Sequence, residues 1–247
     1  MSSSRLPFSV DALLAAIDGV AYAVDEAGII LGFSRGPFMP GNNYLPGVPW
    51  DCNKVIGTCL FDQVQGAEVR DSYRTLHRAV WSGSRLAIGF EYRCDAPAIE
   101  RRMRMSLSLI RVESQPCAVL YQSIIISESP RAPLPLFDSD LLDMLGQSSA
   151  ASVFVTLCSY CQRVAWPLGA SVADRRWIEP AQFYRLGGPS DAVVSHGLCD
   201  DCFERVVGSA LRPVPVPAGG QEPGRHESPG RGTERDRDAG RRDRDTE

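Results

Sequence analysis

The chain has 247 residues, 44% of them hydrophobic and 23% charged, a composition that can bury a core and excludes a fibrous or wholly disordered polymer. Its 26 Lys and Arg against 30 Asp and Glu leave a formal charge of -4 and supply no global field toward nucleic acid or an anionic membrane. No stretch reaches the roughly 18 to 20 uninterrupted apolar residues of a membrane span. The apolar run 12–24 is broken by Asp18 and Gly19 and lacks the basic flank and cleavage site of a secretory signal. A cytoplasmic location is expected. There thiols stay reduced, and cysteine pairs mean metal or redox chemistry more often than disulfides. Lys54 is the one lysine among the basic residues, which reads as GC-rich bacterial coding.

In chain order, Ser9 is a cap for a helix carrying Val10, Leu13, Leu14 and Ile17 on one face. Residues 21–24 and 29–33 form a hairpin around the Asp25-Glu-Ala-Gly28 turn. A Gly and Pro-rich loop covers 36–49, and helical signals fill 50–83, the clearest being Val69, Tyr73, Leu76 and Val80 at i, i+4, i+7, i+11. Three strands close the segment: Leu86, Ile88, Phe90 and Tyr92 alternate in one, Met103, Met105, Leu107 and Leu109 in the next, and 118–126 is a continuous apolar run. The Ser, Pro-rich stretch 128–135 is a boundary, followed by a short amphipathic helix at about 138–146 with Leu141, Leu142 and Leu145 on one side. From 213 on, seven Arg face eight Asp and Glu with almost nothing to bury, the pattern of a disordered polyampholyte tail.

The order of two strands, helices and three strands predicts an α+β fold. It resembles a PAS domain, a five-stranded antiparallel sheet cupped by a helical layer. The matching residues are Tyr22-Ala-Val-Asp25-x-x-Gly28 with Ile30, and Val55-Ile-Gly-Thr58-x-Leu-Phe-Asp62 before the long helix. The chain is also similar to small bacterial PAS proteins whose closing strands read Phe-x-x-Arg-Cys-Asp-x-Pro, here Phe90 to Pro97, and Arg-Arg-Met-Arg-Met, here Arg101 to Met105. The resemblance implies a sensory or interaction module that holds a small ligand between sheet and helices and often dimerises. Flavin-binding light sensors of this fold carry Asn-Cys-Arg before the long helix, and the local Asp51-Cys52-Asn53-Lys54 does not match. Haem-binding members carry a histidine on the long helix. His77 stands there, roughly 70° from the centre of the apolar stripe. It is a weak haem candidate, read first as a partly exposed packing residue. Met103 and Met105 read first as core.

The strongest motif follows: Cys158-Ser-Tyr-Cys161 and, after 37 intervening residues, Cys199-Asp-Asp-Cys202. A Cys-x-x-Cys pair lets two thiolates of one tight turn reach one ion, so two pairs make a closed four-cysteine site for structural Zn²⁺. The second pair opens a helix, whose amides and dipole stabilise anionic sulfur. This arrangement resembles a treble-clef zinc finger. The flanks Ser195-His-Gly-Leu-Cys199 and Cys158 to Arg163, with Trp177-Ile-Glu179 between, resemble a C-terminal module of bacterial signalling proteins; the insertion 168–189 fits it loosely. His196 reads as a group hydrogen-bonding a thiolate, or alternatively as a ligand replacing one cysteine. Cys52, Cys59, Cys94 and Cys117 read as small buried hydrophobes.

The expected organisation is a PAS-like sensor domain at 1–130, a linker helix at 131–150, the four-cysteine zinc module at 151–212 and the disordered tail at 213–247. Six Arg balance six acidic residues within 151–212, and the second-pair helix starts with Asp200 and Asp201, so nucleic acid is disfavoured as a partner. The Arg93, Arg101, Arg102, Arg104, Arg111 cluster reads as a solvated sheet face. No catalytic residues and no enzyme activity are expected. The leading expectation is a cytoplasmic signalling adaptor in which the sensor responds to a ligand or partner, the module docks a signalling protein, and the PAS segment or linker helix makes a homodimer. The alternatives are a transcription regulator touching DNA through the module or the Arg-rich strand, and a redox-responsive zinc thiol switch.

Overall fold

The computed structural model describes residues 9–34, 54–138, 153–171 and 174–212. The expected loop at 36–49, the helical signal at 50–53 with Cys52, the linker-helix residues Leu141, Leu142 and Leu145, and the tail at 213–247 lie outside these residues. Helix α1 (Val10–Ala15) starts where Ser9 Oγ accepts the Ala12 N–H at 3.1 Å, pairing a donor that a helix start leaves open. Of the four residues expected on its inner face, Leu14 is buried, whereas Val10 and Leu13 are exposed. A helix of six residues presents little more than one side chain to the sheet.

Strands β1 (Val20–Val24) and β2 (Ile30–Phe33) form the expected hairpin, its turn fixed by the Asp25 carboxylate accepting the Ile29 N–H at 2.8 Å. The helical region is narrower than 50–83: α2 (Leu60–Gln63) and α3 (Ala67–Trp81) are separated by a break at Gly66, whose φ is +84°. A Cβ on Gly66 would lie 2.5 Å from the His196 carbonyl oxygen. Glycine is therefore required by both the left-handed backbone and the close approach. Strands β3 (Ala87–Arg93), β4 (Ile99–Val112) and β5 (Gln115–Pro130) complete a five-stranded antiparallel sheet in the order β2-β1-β5-β4-β3.

Leu76 and Val80 of α3 and Leu60 and Phe61 of α2 pack on Ile88, Phe90, Met105, Leu107 and Val119 of the sheet. Each buried side chain of this kind contributes about 1.5–3 kcal/mol. An exposed ion pair such as Arg74 with Asp71 on α3 contributes about 0–1 kcal/mol, so burial holds the helix to the sheet. His77 is a correction to its expected half-exposure: it is buried, with Nδ1 3.0 Å from Tyr121 Oη and its ring stacked on Trp81 and Tyr121. Its Nε2 makes no hydrogen bond among the described residues. Burial pulls its pKa below the ordinary histidine value, the Asp25 carbonyl and carboxylate opposing in part.

Because the folded-state value lies below the unfolded one, His77 contributes stability that is full above about pH 6.5 and is lost as pH falls through the folded value. Burial lowers His196 as well, so two histidines share this acid sensitivity. His77→Phe, which keeps an aromatic ring, is expected to flatten part of the fall in urea midpoint between pH 7 and pH 5. An unchanged slope would show that His77 is not held neutral.

The C-terminal segment builds a second sheet, order β8-β7-β6-β9, from β6 (Phe154–Cys158), β7 (Val164–Trp166), β8 (Arg176–Ile178) and β9 (Val193–Gly197), with β9 parallel to β6. Helix α4 (Pro180–Arg185) precedes β9. Helix α5 (Asp200–Cys202) continues through a π-helical turn, Phe203–Gly208, into α6 (Ser209–Leu211). Leu136, after the first sheet, is buried with Val155, Leu157 and Phe183, and its N–H donates to Tyr184 Oη at 3.0 Å. Among the described residues no strand of one sheet pairs with a strand of the other, yet their cores merge: Tyr160, Cys158, Cys199, Cys202 and Val206 belong to the same buried cluster as Leu76, Val80 and Phe90.

Candidate metal centre

The β6–β7 turn carries Cys158 and Cys161, and the end of β9 leads into Cys199 and Cys202 at the start of α5. The four sulfurs lie within 4.8 Å of one another, Cys161 Sγ to Cys199 Sγ being 3.7 Å. That distance is too long for a disulfide bond, about 2.05 Å. It matches the roughly 3.8 Å edge of a sulfur tetrahedron around an ion bound at about 2.3 Å. The chain folds this way locally because Cys158 N–H pairs back to the Arg163 carbonyl and Gln162 takes a φ of +58°, closing a tight knuckle. The Cys199 N–H then points at Cys158 Sγ, 3.5 Å away. The donor set can hold one metal ion.

Two arginines face the sulfurs. Arg163 lies 3.3 Å from Cys161 Sγ and 3.5 Å from Cys199 Sγ, and pairs with Asp201 at 2.7 Å. Arg205 lies 3.4 Å from Cys202 Sγ and donates to the Glu91 carbonyl at 3.1 Å. Hydrogen bonds from Cys158, Cys199 and Cys202 hold the Cys161 sulfur well below the ordinary thiol range, with Arg163 assisting, and the same shared protons push Cys199 up. A bound divalent cation would take the place of those protons and hold the sulfurs as thiolates. Four thiolates around a divalent ion would carry a net charge of about -2, which the two guanidinium groups would offset. Arg163 is visible in the Cys-x-x-Cys-x-Arg spacing and Arg205 sits one turn after Cys202, but spacing alone assigns neither a role.

The centre is anchored to the first sheet. Tyr160 packs edge-on against Phe90 and its hydroxyl lies 2.8 Å from Ser72 Oγ, while the Arg93 N–H donates to the Tyr160 carbonyl at 2.8 Å. Asp95, its side chain fully buried, accepts from Arg93, from Arg131 at 2.6 Å and from the Arg101 N–H at 3.0 Å. The Asp95 N–H donates to Gln162 Oε1 at 3.0 Å, and Arg93 reaches Glu179 at 2.8 Å. Arg93 and Arg101 are thus corrected from a solvated face. Arg101 shares the strand face of Met103, Met105 and Leu107, and Arg93 is covered by the C-terminal segment. Arg102 is exposed, as expected for the cluster. Cys59 and Cys94 are half-buried, and Cys117 is exposed at the start of β5, next to the β4–β5 turn, with Gln115 and Pro116 exposed beside it, a correction to its expected burial.

His196 lies outside the group of four sulfurs. It lines a cavity of about 280 Å³ between the start of α3 and residues of β6, β8 and β9, together with Glu68, Arg175 and Trp177. His77 lies in the first core, stacked on Tyr121.

A five-stranded antiparallel sheet with a helical layer, joined to a four-cysteine cluster, is the class that fold and site define. Solved structures similar to the chain include the PAS domain of BvgS from Bordetella pertussis, at 13% identity and TM-score 0.38 over 55% of this chain and 90% of that one. A domain of an HTR-like protein from Haloarcula marismortui is similar at 17% identity and TM-score 0.30, covering 44% of this chain and 97% of that one. The VqmA dimer of Vibrio cholerae, described with LuxR-type receptors, is similar at 10% identity and TM-score 0.36, covering 47% of this chain and 49% of that one. No protein-family model and no curated protein matches the chain. Among the described residues, no helix is long and apolar enough to cross a membrane.

Proposed function

We propose that the chain is a PAS-type sensory adaptor of the cytoplasm in which a structural Zn²⁺ at Cys158, Cys161, Cys199 and Cys202 fixes a treble-clef-like module against the sensor's long helix. The observation that carries this reading is the shared core, in which the cysteines and Tyr160 pack with Leu76, Val80 and Phe90. Zinc is the ion that best suits four closed thiolate donors in tetrahedral array, since such a site leaves no open position for substrate. No catalysis is assigned to it. Output passes to a protein partner rather than to DNA, because six acidic residues balance the six Arg of 151–212 and the arginines nearest the cysteines are engaged internally. Arg163 and Arg205 face sulfur, and Arg85 donates to the Ala210 carbonyl at 2.8 Å and to the carbonyls of Ser209 and Arg212.

Coupling between metal and sensor is testable by hydrogen exchange on the full chain before and after chelation. The expected result is faster exchange in 153–212 and also in the first turns of α3, where Gly66 abuts His196 and Ser72 meets Tyr160. Faster exchange confined to 153–212 would make the module independent of the sensor and defeat the adaptor reading. Metal analysis of the same sample identifies the ion.

A further inference from the structure

The cavity beside His196 has a lining that the metal centre does not use. Its floor is the parallel pair β6 and β9, where Thr156 Oγ1 lies 3.0 Å from Ser195 Oγ. Gly197 leaves the floor open. A Cβ there would lie 2.8 Å from Thr156 Cγ2, 3.8 Å from Trp177 Cη2 and 3.9 Å from Glu68 Oε2, so an indole and a carboxylate converge on one point with room between them. Arg175 also lines the cavity and supplies the opposite charge.

Glu68 and Arg175 form no ion pair with each other or with any described residue. A carboxylate beside an indole attracts an ammonium group, a guanidinium attracts a carboxylate in a bidentate manner, and hydroxyls add direction. A volume of about 280 Å³ sits just below the 300–1,000 Å³ usual for drug-sized ligands and suits a molecule of amino-acid size. We propose that this cavity is a binding site for a small zwitterion of the α-amino-acid class, its ammonium held by Glu68 and Trp177 and its carboxylate by Arg175.

The site bridges the first turn of α3 and the strand that leads directly into Cys199, so occupancy would tie the sensor's helix to the metal module. It stands apart from the space between the first sheet and its helices, where Tyr22, Tyr121, His77 and Trp81 stack. It also does not rest on the identity of the metal.

The test titrates the full-length, metal-loaded protein with each standard L-amino acid, followed by tryptophan emission and thermal midpoint. The expected result is saturable binding of at least one amino acid. Binding should weaken about tenfold or more (at least about 1.4 kcal/mol) in Glu68→Gln and in Arg175→Gln, and for the matching amine without a carboxylate or acid without an amine. The double variant Gly197→Ala with Thr156→Ser moves a methyl to the point near Trp177 and Glu68 while removing the one that an added Cβ would strike, and should weaken binding with metal content unchanged. The proposal is overturned if no amino acid binds saturably, if both charge-neutral variants bind as the parent does, or if the one-charge analogues bind equally well. Metal content measured on every sample separates these outcomes from loss of the zinc centre.

Discussion

Cys199→Ser is expected to reduce bound metal from one ion per chain to near none and to unfold the 153–212 segment at ambient temperature. Structural zinc sites contribute apparent binding free energies of about 10–16 kcal/mol, as large as the whole stability of an ordinary domain, about 5–15 kcal/mol. Removing one thiolate leaves three sulfurs and the guanidinium groups of Arg163 and Arg205 around a site that no longer closes. Because Cys199 and Cys202 pack with Leu76 and Val80, the loss should also loosen the first sheet's helical layer, seen as a lower thermal midpoint for the whole chain. Cys117→Ser, at an exposed position outside the cluster, should change neither metal content nor midpoint. Full metal content in Cys199→Ser, measured by elemental analysis, would show that the four sulfurs do not act as one structural site.

Local patterns are readable in the sequence, and partners distant along the chain are not. The hairpin at Asp25 to Gly28, the stripe Val69, Leu76, Val80 and the two cysteine pairs depend on spacing within a few residues, and the structure places each as read. His77 escapes such reading because its burial depends on Tyr121, which reaches it from β5, 44 residues later. Arg93 and Arg101 escape it for a similar reason. Alternation assigns a side chain to a sheet face but cannot say which distant groups will meet it there, and here Glu179 reaches Arg93 while Gln162 and Arg131 reach the Asp95 that Arg93 and the Arg101 N–H share. The cavity is invisible in sequence because Glu68 lies more than a hundred residues before Arg175 and Trp177, and the motifs that contain Trp177 and Ser195 to Leu198 do not say that these residues line a common space. The Arg-Cys-Asp-x-Pro stretch is, in sequence, a pattern without a role. The structure supplies one.

Asp95→Ala is expected to cost about 3–5 kcal/mol, the range for removing one partner of a buried ion pair. The Asp95 side chain is 0% exposed and those of Arg93 and Arg131 are 16% and 14% exposed, so alanine would leave two desolvated cations facing each other and the Arg101 N–H without its acceptor. Arg93 would keep Glu179 and Glu100, both near half-exposed, which compensates little because solvent screens such pairs to about 0–1 kcal/mol. The comparison that isolates burial is Glu91→Gln, which removes the partner of Arg102 on the same sheet, where both side chains are about half exposed; it should shift the urea midpoint by less than a quarter as much. The damage should also spread across the chain. Asp95 orients the loop whose N–H binds Gln162 of the cysteine knuckle, so Asp95→Ala should release metal to a chelator faster than the parent, while Glu91→Gln should not. Equal effects of the two substitutions on midpoint and metal release would show that Asp95 acts as an ordinary surface charge and not as the joint between sensor sheet and metal module.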